Sequence, residues 1–305
     1  MGDLEIAQNL KEDMISNGIH PDVVTYTILG NASYKAGQTF MAKHFFDEML
    51  HAGLTPDRVA YTTRIVGELI LGDTTKAFSL QEEMLAKGFP PDLVTYNVFI
   101  HGLCKLDNLE EASGLLEKMV NDGHVPDHVT YTSIIHAHLE KGHLKKGREV
   151  FHDMLSKGQI PTVVTYTVLI HAHALRGRLE LAFTYFSEML EKDVVPNVIT
   201  YNALMIGLCK ARRMDQAYKF FSEMEGRGIF PNKYTYTILI NENCDIRNWP
   251  EALRLYKHML DRGFQPDSCT HNALLKQLEK DYKVHAVQQV ESLIHSSEKI
   301  LGAKR

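Results

Sequence analysis

The sequence predicts an all-α solenoid of stacked helix-turn-helix units, and three observations predict it. Eight of the ten prolines, Pro21, Pro56, Pro91, Pro126, Pro161, Pro196, Pro231 and Pro266, follow one another at a constant step of 35 residues. Eight of the twelve methionines (Met14, Met49, Met84, Met119, Met154, Met189, Met224, Met259) and seven of the thirteen tyrosines (Tyr26, Tyr61, Tyr96, Tyr131, Tyr166, Tyr201, Tyr236) keep the same step. No segment alternates apolar and polar residues over enough positions to make a sheet. A fixed period in this range marks supersecondary units that bury their apolar faces against their neighbours.

Starting each unit two residues after its proline gives seven full repeats: 23–57, 58–92, 93–127, 128–162, 163–197, 198–232 and 233–267. A partial unit, 1–22, precedes them and matches only a second helix; a degenerate unit with a terminal capping helix, 268–305, follows. Within repeat three, LVTYNVFIHGLCKL has apolar residues at helical spacing, DN makes a turn, and LEEASGLLEKMVNDG is a second amphipathic stretch. Gly37, Gly72, Gly142 and Gly177 recur between the two helices, and another glycine column (Gly18 to Gly263) recurs after the second. The proline three residues beyond that second column cannot continue a helix. Ala42, Ala77, Ala112, Ala182, Ala217 and Ala252, with Gly147 in the equivalent place, let paired helices approach closely. The missing first helix at the start predicts that this chain is a piece of a longer protein.

Composition excludes several classes. With 23% charged and 44% hydrophobic residues the chain is not disordered as a whole. No apolar run approaches the roughly 18 residues of a spanning helix, so no membrane partner is expected. The opening MGDLEIAQNL has neither a basic flank nor an apolar core, so no targeting segment is visible. Four cysteines without a CxxC pair argue against a disulfide scaffold and a clustered zinc site. The sixteen histidines include HAH at His136–His138 and His171–His173, but residues two apart point to opposite sides of a helix and cannot close on one ion. No nucleophile constellation, glycine-rich phosphate loop or carboxylate pair stands outside the repeats. The chain reads as a non-enzyme with no cofactor, no metal and no small-molecule substrate. The net charge of −5 argues against holding nucleic acid by bulk charge alone.

The segments VVTYT, LVTYN, HVTYT and VITYN, each followed about 22 residues later by EM, DM or a variant and then by G-x-x-P-D/N, resemble pentatricopeptide repeats of the P-type subclass. That resemblance covers nearly the whole chain. It implies a right-handed superhelix of paired helices and sequence-specific binding of single-stranded RNA at about one base per repeat. It further implies that the fifth and last residues of each repeat read the base, while the second packs on base faces. The chemistry is sensible: an aspartate accepts from the ring N–H of guanine or uracil, and an asparagine donates to the bare ring nitrogen of adenine or cytosine. The implied pairs are Thr27 with Asp57 (G), Thr62 with Asp92 (G), Asn97 with Asp127 (U), Thr132 with Thr162 (a purine), Thr167 with Asn197 (A), Asn202 with Asn232 (C) and Thr237 with Asp267 (G). The implied target is 5′-GGU(R)ACG-3′. Asn272 would need Gly302 as its partner, so it gives no base.

The base-packing residues would be Val24, Val59, Val94, Val129, Val164, Ile199 and Tyr234, the last able to stack through its ring. Lys35, Lys105 and Lys210 are candidate phosphate contacts or solvated lysines, since Ile70, Glu140, Leu175 and Asp245 break that column. His101, His136 and His171 lie one turn beyond the reading residue, as RNA contacts or as surface and packing side chains. The tyrosine and methionine columns read as helix-interface residues, and Cys104, Cys209 and Cys244 as small buried hydrophobes. By the same resemblance, the expected setting is organellar RNA processing, stability, splicing or translation in a mitochondrion or chloroplast. The rival reading is a helical scaffold for a protein partner.

Overall fold

A computed structural model describes residues 2–280. The capping helix expected in the terminal segment, and Gly302, lie outside the described residues. Among those described there are sixteen α-helices and no strand, the all-α repeat class that the 35-residue step predicts. They fall into two compact units, one ending at Ile160 and one beginning at Pro161.

The first unit contains α1 (Gly2–Ser16), α2 (Val23–Lys35), α3 (Thr39–His51), α4 (Arg58–Leu71), α5 (Thr74–Ala86), α6 (Leu93–Lys105), α7 (Leu109–Asn121), α8 (His128–Glu140) and α9 (Leu144–Ser156). The second contains α10 (Val163–Leu175), α11 (Leu179–Glu191), α12 (Val198–Lys210), α13 (Met214–Gly226), α14 (Lys233–Asp245), α15 (Trp249–Asp261) and α16 (Ser268–Lys280). In each unit the first helix of a hairpin packs on its own second helix and on the first helix of the next hairpin.

The first helices begin where a side chain can satisfy their free amides. Asp22, Asp57, Asp92 and Asp127 in the first unit, and Thr162, Asn197 and Asn232 in the second, hold extended backbone and accept a hydrogen bond from the amide three residues on. The second helices are started differently: Gln38, Asn108, His143, Arg178, Arg213 and Asn248 make no side-chain cap bond, whereas Asp73 does. Between the helices, Gly37, Gly72, Gly142 and Gly177 take positive φ, as the sequence predicts. Asp107, Arg212 and Arg247 occupy the same place with φ of 67°, 58° and 60°, and Asp193 replaces a glycine of the other column at 56°.

Packing follows the columns. Around repeat three, Tyr96, Phe99, Ile100 and Leu103 of α6 bury against Ala112, Leu115 and Met119 of α7 and against Tyr61, Ile65 and Leu69 of α4. A buried side chain of this size is worth about 1.5–3 kcal/mol. Met49 through Met259 are buried at every step, in keeping with interface filling. The repeated tyrosine rings are buried too, and five of their hydroxyls donate to carboxylates of the paired second helix or the turn after it. Tyr61 reaches Glu83 at 2.8 Å, Tyr131 reaches Asp153 at 3.0 Å, Tyr166 reaches Glu188 at 3.0 Å and Tyr201 reaches Glu223 at 3.1 Å, with Tyr96 on Asp122. Burial, reinforced by Glu83, pushes the Tyr61 phenol up to about 12. These tyrosines are structural and not a base-stacking ladder. One close approach needs glycine: a Cβ on Gly67 would lie 1.8 Å from Cζ of buried Tyr34.

The left-handed turn residues give a stability test. Such a conformation costs a non-glycine residue roughly 1–2 kcal/mol, against the roughly 0.5–1 kcal/mol entropic cost of glycine. Arg247→Gly is therefore expected to stabilise the fold by about 0.5–1 kcal/mol, read as a higher urea midpoint at unchanged m-value.

Candidate nucleic-acid interface

The last residue of a repeat caps the next first helix, and within each unit that helix packs beside the one bearing the fifth residue. The pair Asn97 and Asp127 shows the contact most fully. The Asn97 amide donates to Asp127 Oδ1 at 3.2 Å and Oδ2 at 3.3 Å. Asp127 Oδ1 also accepts from the backbone amides of Val129 (2.9 Å) and Thr130 (3.0 Å). In repeat two, Asp92 Oδ1 accepts the Thr95 amide at 2.9 Å, and Arg58 reaches Asp92 Oδ2 at 3.4 Å. Asp57 accepts from the Ala60 amide at 2.8 Å, and the Thr27 hydroxyl donates to the Val23 carbonyl at 2.7 Å.

In the second unit Asn197 accepts from the Ile199 and Thr200 amides, Asn232 from Thr235 and Asp267 from Thr270. Thr167 and Thr237 lie half-buried on α10 and α14. Thr132 is half-buried on α8, and Thr162 caps α10. Asn202 is placed differently from the other fifth residues. It is only 3% exposed, and its amide oxygen is buried without a hydrogen-bond partner. Such an acceptor left unmade costs about 1–3 kcal/mol.

The capping bonds set the charge of these groups. Burial pushes the Asp127 carboxyl up, but the Thr130 amide and hydroxyl, the Asn97 amide and the Val129 amide together outweigh it and hold the carboxyl below its ordinary value. At Asp92 burial is likewise outweighed, by the Thr95 amide and hydroxyl and the Arg58 guanidinium. Both groups therefore stay acceptors at neutral pH.

The second-position residues are exposed apolar side chains in both units: Val24, Val59, Val94, Val129, Val164, Ile199 and Tyr234 are 45–62% exposed. Lys35, Lys105 and Lys210 end α2, α6 and α12 with exposed side chains. His101 and His171 are exposed and His136 half-buried, with His136 3.7 Å from Glu140. Cys209 and Cys244 are buried and Cys104 half-buried, and burial pushes the thiols up to about 12, 11 and 12 respectively. Among the described residues no three His, Cys, Asp or Glu side chains are grouped to hold a metal ion.

Sequence reasoning had not found two things here. The last residue of each repeat is a helix cap as well as a candidate base reader, and Thr95, Thr130 and Thr200, third residues of the following repeats, touch both members of the reading pair. The signal was present as Asp, Asn or Thr followed three residues later by Thr: Asp22–Thr25, Asp92–Thr95, Asp127–Thr130, Thr162–Thr165, Asn197–Thr200, Asn232–Thr235 and Asp267–Thr270. Asp57–Ala60 departs from it.

A chain of repeated helical hairpins, each joined to the next by a side-chain cap and presenting an exposed apolar residue beside it, defines a class of helical-repeat protein. Models of the PPR repeat family match residues 59–105, 91–138, 126–175, 161–210, 196–245 and 234–264, and the pentatricopeptide repeat domain matches 9–66. The chain belongs to the pentatricopeptide repeat family. No curated protein matches it in sequence. Among solved structures it is similar to the pentatricopeptide repeat protein PPR10 from maize, with a TM-score of 0.65 and 21% identity over 98% of this chain and 47% of that one. PPR10 in complex with an 18-nt psaJ RNA element matches with a TM-score of 0.63 at 21% identity, over 97% of this chain and 48% of that one. The PPR domain of Arabidopsis thaliana protein-only RNase P 1, in complex with tRNA, matches with a TM-score of 0.50 at 17% identity, over 59% of this chain and 95% of that one. The chain thus spans about half the length of PPR10.

Because Asp and Asn cap helices about equally well, capping can be separated from charge at Asp127. Asp127→Ala is expected to lower stability by about 1 kcal/mol, and Asp127→Asn by only a few tenths, both measured by denaturant unfolding at pH 7. The depressed Asp127 value gives wild type an advantage that is complete above the unfolded carboxylate value of about 3.9 and lost as pH falls through the lower folded value. The stability of Asp127→Asn relative to wild type is therefore expected to rise on acidification below about pH 4.

Proposed function

We propose that this chain binds single-stranded RNA without catalysis, one base per repeat, in the order 5′-GGU(R)ACG-3′. The observation that carries this reading is the exposed apolar second residue of every full repeat, set beside a capped polar pair. Apolar side chains left this open are suited to the faces of unstacked bases, and the neighbouring pair is suited to their edges. Asp57, Asp92, Asp127 and Asp267 would accept from a ring N–H; Asn197 and Asn232 would offer a donor. At repeat six Asn202 is buried, so Asn232 is the reader left to meet the base there. The RNA in the PPR10 and RNase P domain structures supports the same class of partner.

Binding of this kind would shield a transcript segment from nucleases, or hold it unpaired for splicing or translation. By family resemblance, that role would be played in a mitochondrion or chloroplast. The binding is shape- and edge-driven, and few cations take part. With Lys35, Lys105 and Lys210 as phosphate contacts, log K is expected to fall against log salt with a slope of about −2. A footprint neutralised at all seven phosphates would give about −5.

Equilibrium titration with an oligomer containing GGUAACG, against a scrambled oligomer of equal composition, tests the reading. Selective binding of the first is expected. Equal affinities would overturn the base assignment, and no binding to either at low salt would favour a protein-binding scaffold.

A further inference from the structure

We propose that the third-position threonine, in the repeats that carry one, is a positioning residue for base reading, one that fixes which edge of the preceding repeat's pair faces the RNA. This rests on the base-reading assignment above. Thr95, Thr130, Thr200, Thr235 and Thr270 are fully buried, so they do not reach RNA themselves. Their hydroxyls nevertheless contact the pair on one or both sides. Thr130 Oγ1 lies 2.5 Å from Asn97 Oδ1 and 3.0 Å from Asp127 Oδ1. Thr95 Oγ1 lies 2.9 Å from Asp92 Oδ1 and 3.1 Å from the Thr62 hydroxyl. In the second unit Thr200 Oγ1 lies 3.2 Å from Asn197 Oδ1 and 2.7 Å from the Thr167 hydroxyl. Thr235 lies 3.0 Å from Asn232 Oδ1, and Thr270 lies 3.1 Å from the Thr237 hydroxyl.

The consequence is clearest at the uracil-assigned repeat. An asparagine amide has a donor edge and an acceptor edge of nearly equal shape, and a flip exchanges them. Uracil and cytosine differ in the same sense, since N3–H and O4 of one become N3 and the amino group of the other. By donating to Asn97 Oδ1, Thr130 holds the oxygen inward and leaves the amide nitrogen as the edge beside Asp127. Asp127 Oδ1 is meanwhile engaged by two backbone amides, so Oδ2 is left as the less engaged acceptor. Removing the hydroxyl frees the flip and takes one acceptor from the Asp127 amide, but leaves both readers and the bonds by which Asp127 caps α8.

Repeat one lacks this device. Ala60 stands at the third position of repeat two and has no hydroxyl to offer Thr27, which bonds the Val23 carbonyl as Thr62 bonds the Arg58 carbonyl, and a cavity of about 10 Å3 is lined by Thr27, Ala60 and Arg64 among others. The Thr27 and Asp57 pair is therefore held by capping alone, and the first base is read less selectively than the second, although both carry the same Thr and Asp readers.

The test uses the full chain with Thr130→Val, which keeps the shape and loses the hydroxyl, and Thr130→Ser, which keeps the hydroxyl. Affinity is measured for GGUAACG and for the same oligomer with C at the third base. The U-over-C ratio is expected to fall about fivefold in Thr130→Val and to return in Thr130→Ser. An unchanged ratio in Thr130→Val, or a loss that Ser does not restore, overturns the proposal. A structural defect alone would weaken both RNAs equally, leave the ratio intact and so count against it. The Asn97 side-chain amide resonances of the free protein separate this from failure of the base assignment. They are expected to shift in Thr130→Val and return in Thr130→Ser whether or not wild type prefers U, and resonances that do not move overturn the bridge itself. At the other end, Ala60→Thr is expected to raise selectivity for G at the first base; an unchanged ratio there overturns the account of repeat one.

Discussion

The molecule depends on one hydrogen bond made again at each repeat boundary, in which the last side chain of a unit accepts an amide of the helix that follows. That bond starts the first helix and thereby fixes where its second, third and fifth residues point. It also limits the chemistry available at the position. A cap must be a short acceptor, so Asp, Asn and Thr serve and a long or apolar side chain does not. Those same few residues differ in whether they accept only or also donate. The requirement that the fold imposes at the end of a repeat thus leaves open a choice that an RNA base edge can discriminate. One oxygen caps, and the rest of the group remains for other partners, as the two oxygens of Asp127 show.

Much of this was legible in the sequence because a strict 35-residue step converts residue identity directly into position. The hairpins, the buried tyrosine and methionine columns and the glycine turns all follow from it. So does the conflict at Asp107, Asp193, Arg212 and Arg247, each standing where the column otherwise carries a glycine of positive φ. What was not legible is which columns touch. The bridge from Thr130 to both Asn97 and Asp127 joins residues 33 and 3 positions away, and only the packing of adjacent first helices brings the three together. The burial of Asn202, where Asn97 at the equivalent position is half-buried, likewise depends on what neighbouring helices bring and not on its own identity.

The acidic net charge also acquires a location. Several carboxylates, Glu83, Asp153, Glu188 and Glu223 among them, accept from the buried tyrosines and belong to the second helices. Others are the caps themselves. Neither set measures the electrostatic attraction of the chain for a polyanion, so a net charge of −5 is compatible with a binding face that works through base edges and apolar contact.

The central claim is that one side chain both starts a helix and selects a base, and Asp127→Asn tests it most directly because the cap survives the change. The measurement is the relative affinity for U and C at the third base of GGUAACG. The account predicts that the preference moves from U towards C while the unfolding midpoint stays near that of wild type. A variant that keeps the wild-type preference for U would contradict it.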